Sequence, residues 1–503
     1  MRIGRRGFMH ALAGTAAWLA GGKARASEPE WTCEIHQQTR NTRLGPVGRK
    51  WWPASRKRRR AKAYAGYERI ALPVPASRGA TSLADVIDGF RVADGFARKA
   101  LGLAELSRLL HFTNGVTQPP ILRAAPSAGA LYAGEIYILA ERVTGLDPGV
   151  YYYAPPGHAL VRLRPGPAID AVREALERPG QFASAPAVLA LTNVFGRYGW
   201  RYANRAYRYA LIDTGHIGEN LRLAARSAGF VDVAPLRFHD ERLSEVLGID
   251  GRREAVCALH AVGYPGKTAT SPRVRSFGEA KTAPAGWGDT ERYHASSGLG
   301  EAAGGAPNVG IRAAPARGNV VTLRPERTVE TCILNRRSAQ RFADRKLQRD
   351  VLDWILDAAV GHTTLTRAPG VELLLAVHRV AALEPGLYRY QTSDARLVSL
   401  RKADLRASLV RTCLGQDKAG ACAVAFFLVA DLRHAVETLG ERGYRDLLIE
   451  AGGIGQRIYL AAEAAGLAAR NLAAFRDDSL NALLDLDGRE RAVLHLTLAG
   501  REA

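Results

Sequence analysis

The sequence predicts an α+β protein made of two tandem copies of one domain. Three observations carry this. The chain has 503 residues, too many for one ordinary domain and enough for two of roughly 200 each. Segments recur at a fixed spacing of 237 residues. Within each copy, helical and strand-like hydrophobic periods alternate.

The repeat is the strongest signal. The run from Asp147 to Tyr153, Pro148-Gly149-Val150-Tyr151 at its centre, returns as Glu384 to Tyr390 with Pro385-Gly386-Leu387-Tyr388. Tyr207-Arg208, Leu211-Ile212 and Asp250-Gly251-Arg252 return as Tyr444-Arg445, Leu448-Ile449 and Asp487-Gly488-Arg489. The spacing holds without a gap from Glu135/Glu372 to the end of each copy. Upstream it lengthens to about 246, so the second copy lacks about nine residues that the first keeps between Gly115 and Glu135.

Leu103, Leu106, Leu109 and Leu110 share one helical face, with Leu352, Ile355 and Leu356 as their counterparts. Residues 136–139 and 188–191 read as buried strands, and each Pro-Gly turn opens a hairpin. A helix expected over about 204–227 carries Gly218 on its apolar stripe, and its counterpart carries Gly452 and Gly455. Glycine costs about 1 kcal/mol against alanine inside a helix. Its presence on both stripes predicts that another backbone packs there, in a helix–helix interface between the copies.

Residues 1–26 hold paired arginines (Arg5, Arg6), a mildly apolar stretch and an Ala-x-Ala site before Ser27. This predicts an export signal of twin-arginine type and a periplasmic protein, with the cytoplasm as the alternative. The formal charge is +21, but residues 1–70 contribute 16 Lys/Arg against 4 Asp/Glu. The basic run at residues 56–60, beside Trp51-Trp52, reads as a solvated tail or a segment packed on the rest. No recognition motif accompanies it, so nucleic acid is not the expected partner. Five cysteines without a CxxC pair indicate neither a metal site nor a disulfide framework. The expected organisation is a signal (1–26), a basic extension (27–79), a first domain (80–265), a Gly/Ala/Pro-rich linker (266–325) and a second domain (326–503).

The first copy contains Arg123-Ala124-Ala125-Pro126-Ser127-Ala128-Gly129-Ala130-Leu131-Tyr132, then Trp200-Arg201-Tyr202 and Asp213-Thr214-Gly215-His216. The second contains Arg336-Arg337-Ser338-Ala339-Gln340-Arg341-Phe342. On these motifs the chain resembles nitroreductase-like flavoproteins, in their SagB-type dehydrogenase branch. The resemblance implies two α/β sandwich domains, normally a homodimer with FMN between its subunits. In a tandem chain that dimer forms internally, as a monomeric pseudo-dimer.

The copies then divide one FMN site. Phosphate favours paired guanidinium groups and a hydroxyl, and the second copy supplies Arg336, Arg337 and Ser338, with Gln340 where a third basic residue is common. The first copy has Asp94 in that region. It alone keeps the small-residue loop of Pro126, Ser127, Ala128 and Gly129 that the family places under the flavin. The family's backbone N–H toward flavin N5 falls at Ala473 and Ala474, which leave room. Arg237, their counterpart, would crowd the ring.

Azoline-oxidising relatives carry Lys-Tyr where this chain has Arg201-Tyr202. Arginine stays protonated and makes a poor base, whereas Tyr202 can exchange a proton. The leading expectation is an FMN oxidoreductase acting on a small electron-poor substrate, with NAD(P)H or another donor and no metal. The alternatives are an azoline-type peptide dehydrogenase and a flavin-free scaffold.

Overall fold

The computed structural model describes residues 33–41, 60–75, 79–89, 95–235, 237–266, 293–294, 322–361 and 370–503. The expected signal at 1–26, residues 51–59, Asp94 and most of the linker lie outside these.

Each copy folds around one antiparallel sheet. The first has β1 (Arg69–Ala71), β2 (Gly134–Ala140), β3 (Gly149–Ala154), β4 (Ala159–Pro165), β5 (Ala187–Val194), β6 (Val231–Val233) and β7 (Glu254–Gly263), in the order β1-β4-β3-β2-β5-β7-β6. The second has β8 (Val371–Val377), β9 (Gly386–Gln391), β10 (Arg396–Lys402), β11 (Val424–Asp431), β12 (Ala468–Asn471) and β13 (Arg491–Gly500), in the order β10-β9-β8-β11-β13-β12. Every strand of the second sheet begins 237 residues after its counterpart, as Gly149 and Gly386 show. The sequence repeat is therefore a repeat of topology.

Alternation along the central strands explains how two sheets share one core. Ile136 and Ile138 on β2, with Leu373 and Leu375 on β8, join a single cluster that draws on both copies. Tyr137 and Leu139 pack on the opposite face of the first sheet, and Leu374 and Ala376 on that of the second. The shared cluster makes the chain an intramolecular pseudo-dimer.

Between the sheets lie α2 (Ala206–Ser227) and α4 (Glu441–Ala464), both buried along nearly their whole length; α1 (Leu103–Asn114) and α3 (Arg349–Leu356) carry the predicted leucine faces. The interhelical contact expected from glycine is present, but its register differs. A Cβ on Gly215 would lie 2.0 Å from the Ile449 carbonyl, and one on Gly452 would lie 2.1 Å from the Ile212 carbonyl. These two glycines, 237 apart, mark the crossing of α2 and α4. Gly218 and Gly455 instead face His260 and His495 on their own sheets.

Two matching clasps close the pseudo-dimer. Arg205 and Arg208 of α2 pair with Asp477 of the second copy, each at 2.6 Å. Arg442 and Arg445 of α4 pair with Asp240 of the first, each at 2.8 Å. The short helix Glu34–Gln38 completes one clasp, where Arg208 donates to the His36 carbonyl and to Thr39 Oγ1, each at 2.8 Å. His294, within the expected linker, lies 3.7 Å from Asp240 in the other.

The end of the basic run is not a solvated tail. Arg60 accepts a hydrogen bond from Arg123 at 2.6 Å through its carbonyl, and Lys62 binds Glu254 and the Tyr137 hydroxyl. This holds the extension against the first sheet, where β1 pairs with β4. All five cysteines are buried. No described helix is long and apolar enough to cross a membrane.

Candidate functional site

A cleft with about 220 Å³ of free space is lined by both copies. The first contributes residues 126–129 with Tyr202, Tyr209, Ile212, Asp213 and His216; the second contributes Ser338, Gln416, Tyr459, residues 470–474 and His495. Ser127 and Ser338 thus share one space.

The loop from the first copy is held from beneath. Ser127 Oγ shares a hydrogen bond with the Tyr198 hydroxyl at 2.7 Å and accepts one from the Tyr132 N–H at 2.9 Å. Tyr198 donates to Asp213, which also accepts from the Ala128 N–H at 3.0 Å. Gly129 has φ +61°, and a Cβ there would lie 2.4 Å from the Tyr202 hydroxyl. Glycine is the residue that both the conformation and the space allow.

The same network crosses to the second copy. Asn471 Nδ2 lies 2.7 Å from His216 Nε2, and His216 Nδ1 faces Asp213 at 3.6 Å. The Asn471 N–H donates to the Tyr459 hydroxyl at 3.0 Å, so that hydroxyl's own proton is free for Ser338, 2.7 Å away. Burial pushes Tyr202 up to about 12 and raises Tyr198 and Tyr209 as well. At neutral pH these hydroxyls keep their protons and act as donors.

Ala473 and Ala474 lie on the wall from the second copy. Arg205 donates to the Ala473 carbonyl at 3.0 and 3.2 Å and Tyr209 at 3.2 Å, while Gln416 donates to that of Ala474 at 3.2 Å. Their backbone N–H groups have no acceptor among the described residues. Two cations stand close by. Arg470 lines the cleft and donates to the Ala339 carbonyl at 2.9 Å. Arg336 is buried, donates to the Ala124 carbonyl at 3.2 Å and stacks on Tyr459 at 5.3 Å. Neither makes an ion pair within 4 Å among the described residues, although Glu463 acts on Arg336 from farther away.

The profile of the Nitroreductase family matches residues 95–264 and 333–501, more than half of the chain. The chain belongs to the nitroreductase family. A protein of Methanocaldococcus jannaschii assigned as a nitroreductase is 34% identical over 167 residues, 33% of this chain and 84% of that protein. The microcin B17-processing protein McbC of Escherichia coli is 25% identical over 174 residues, 33% of this chain and 63% of that one. The crystal structure of a protein from Anabaena variabilis, assigned as a nitroreductase, superposes with TM-score 0.74 at 26% identity, over 93% of this chain and 99% of that chain.

This nitroreductase-family chain has a second cavity at the place related to the cleft by the repeat. It holds only about 30 Å³ of free space and is lined in part by Asp446, Ile449, Glu450 and Gly453, the counterparts of Tyr209, Ile212, Asp213 and His216. Arg222 stands where Tyr459 stands in the cleft. The space is crossed by ion pairs. Glu219 pairs with Arg222 at 3.0 Å and with Arg457 at 2.9 Å, and Arg457 reaches Glu450 at 3.4 Å. Arg237, expected to crowd this place, turns instead to Glu177 at 3.2 Å. Arg222 lines the space in its stead, and Arg457 pairs with two of the other lining residues, Glu219 and Glu450.

Several expected residues lie away from the cleft. Gln340 is exposed and donates to the Ser338 carbonyl at 3.2 Å, because its position follows the turn out of the site. Arg337 reaches Gln118 at 2.8 Å and two nearby carbonyls. Arg201 is exposed beside the cleft, its guanidinium 5.5 Å from the Tyr202 ring and near Gly129. Conversely, the sequence does not single out Asp213, Tyr459, Arg470, Asn471 or His495 as site residues. The available signal is the difference between copies, such as Tyr459 against Arg222. Among the described residues, no group of His, Cys, Asp and Glu is placed to hold a metal.

Proposed function

We propose that this nitroreductase-family oxidoreductase binds one FMN per chain, in the composite cleft. The observation that carries the reading is the pairing of residues 126–129 with Ser338, Ala473 and Ala474 around one space, while the related cavity is filled by charge. The residues suit the cofactor. Arg336, Arg470 and the Ser338 hydroxyl provide cations and a donor for a phosphate. The N–H groups of Ala473 and Ala474, without an acceptor among the described residues, are donors beside small side chains. The bound flavin supplies hydride transfer, and the protein supplies orientation and electrostatics.

Tyr202, protonated at neutral pH, gives the cleft a proton donor. An arginine at position 201 is a poor base, which favours a small electron-poor substrate reduced at the expense of a reduced nicotinamide. A second reading, dehydrogenation of a peptide azoline, draws support from the likeness to McbC. Mass loss of two hydrogens from a thiazoline peptide, against turnover of a quinone or nitroaromatic with NADH or NADPH, separates the two.

The purified protein is expected to be yellow, with one FMN released per chain on denaturation. Removing Arg336 takes away a buried cation, and charge-assisted contacts contribute about 1.5–3 kcal/mol each. Arg336→Ala should therefore weaken FMN binding by roughly tenfold or more, measured by fluorescence titration. A colourless chain unable to take up added FMN overturns the reading.

A further inference from the structure

One side chain lining the cleft has no hydrogen-bond partner among the described residues. His495, on β13, is 1% exposed, and neither ring nitrogen is engaged by them. Native proteins rarely leave a buried donor and acceptor unmet unless something else engages them.

Its surroundings are these. From α2, the His216 ring lies 5.7 Å away, with Asp213 on the preceding turn already engaged by Tyr198 and the Ala128 N–H. From α4, Gly455 makes room, since a Cβ there would stand 3.0 Å from His495 Nε2; Tyr459 is on the next turn. From β12 come Arg470 and Asn471. Among the described residues no carboxylate pairs with His495, and burial together with His216 holds the ring neutral, well below the usual imidazole range.

At the related cavity, the imidazole facing the equivalent helix glycine, Gly218, is His260. Asp232 lies 3.5 Å from it. The second copy has Ala469 at the place of Asp232. The cleft therefore presents an imidazole without the carboxylate found on the filled side.

We propose that His495 takes up a proton when the flavin in the cleft is reduced. This rests on the FMN reading. A hydride from a reduced nicotinamide brings two electrons and one proton, and the nicotinamide leaves oxidised. The flavin gains a negative charge, and His495 takes one proton from solvent to become the imidazolium that balances it. His216 is less suited, because Asn471 occupies its Nε2 and Asp213 faces its Nδ1.

The test is the pH dependence of the midpoint potential of the flavin-loaded protein between pH 7 and 8. Each proton taken up per two electrons shifts the equilibrium tenfold per pH unit, or about 30 mV. The wild type should show about 60 mV per pH unit, and His495→Gln should show half of that. His260→Gln should keep the wild-type slope. A one-proton slope in the wild type, which needs no variant, overturns the proposal, as does an unchanged slope in His495→Gln. A chain that holds no flavin overturns the parent reading and this proposal together; a flavin-loaded chain with a one-proton slope overturns this proposal alone.

Discussion

The cleft and its related cavity occupy equivalent places on one repeated backbone, yet one stands open and the other is nearly filled by charged side chains. The cleft has Tyr459, Asp213 and His216 where the cavity has Arg222, Glu450 and Gly453. A buried arginine needs carboxylates: Glu219 meets Arg222 on its own helix and Arg457 across the crossing, and Arg457 reaches Glu450 along its own helix. The comparison teaches that topology fixes where a site can be, whereas a few buried polar side chains decide whether it stays open.

The feature both places depend on is the crossing of α2 and α4, so its disruption should have the largest effect. At Gly215 a side chain would meet backbone rather than a movable side-chain end. Gly215→Leu should cost more than about 4 kcal/mol, in the range of severe core disruption, and leave little folded protein by circular dichroism and denaturant titration. Gly199, where a Cβ would meet no heavy atom within 4 Å, should accept alanine with little change. Equal tolerance at both positions would show that the helices do not cross as described.

Much of this arrangement is legible in the sequence. The 237-residue spacing anticipates the strand-by-strand equivalence, because insertions between the copies are confined to the stretch before β2 and β8. Motifs mark the loop at residues 126–129 and Ser338. Sequence spacing assigns the closing of the second cavity to Arg237, because spacing alone says nothing about Glu177 drawing that side chain away. It favours Gly218 over Gly215 for the helix interface, since both lie on faces a single periodicity cannot tell apart when the helix is buried all round. His495 lies on an apolar strand with no partner in sequence, and only the fold brings it beside His216.

An intermediate effect should separate the two places by function. Arg457 binds Glu219, Glu450 and the Ala359 carbonyl at 2.7 Å, with almost no exposure. Breaking a buried pair by removing one partner costs about 3–5 kcal/mol. Arg457→Ala should lose that much stability to urea while the folded fraction keeps one flavin per chain. A second flavin bound by the variant would show that the cavity is closed only by its charges; loss of the first would show that the two places are not independent.

The smallest effect concerns the clasps, and it is a matter of pH. Burial and then Arg445 hold His294 down at about 3, and burial with Arg208 lowers His36 likewise. An unfolded chain protonates each near 6.5. Below that value the unfolded state binds more protons than the folded one, so the stabilisation is complete above about 6.5 and is lost as the pH falls toward the folded values. At pH 5 the loss for one such imidazole is about 2 kcal/mol, and it should appear as a lower Tm than at pH 7. His294→Gln should reduce that acid sensitivity without touching the flavin. His36→Gln should reduce it too, but it also removes the imidazole Nδ1 that lies 3.2 Å from Arg208, and so loosens Arg208 and Asp477, whose partner Arg205 supports the Ala473 carbonyl. Its flavin should therefore dissociate faster than that of His294→Gln at the same pH, and equal release rates would mean that the clasp beside the cleft does not support the site.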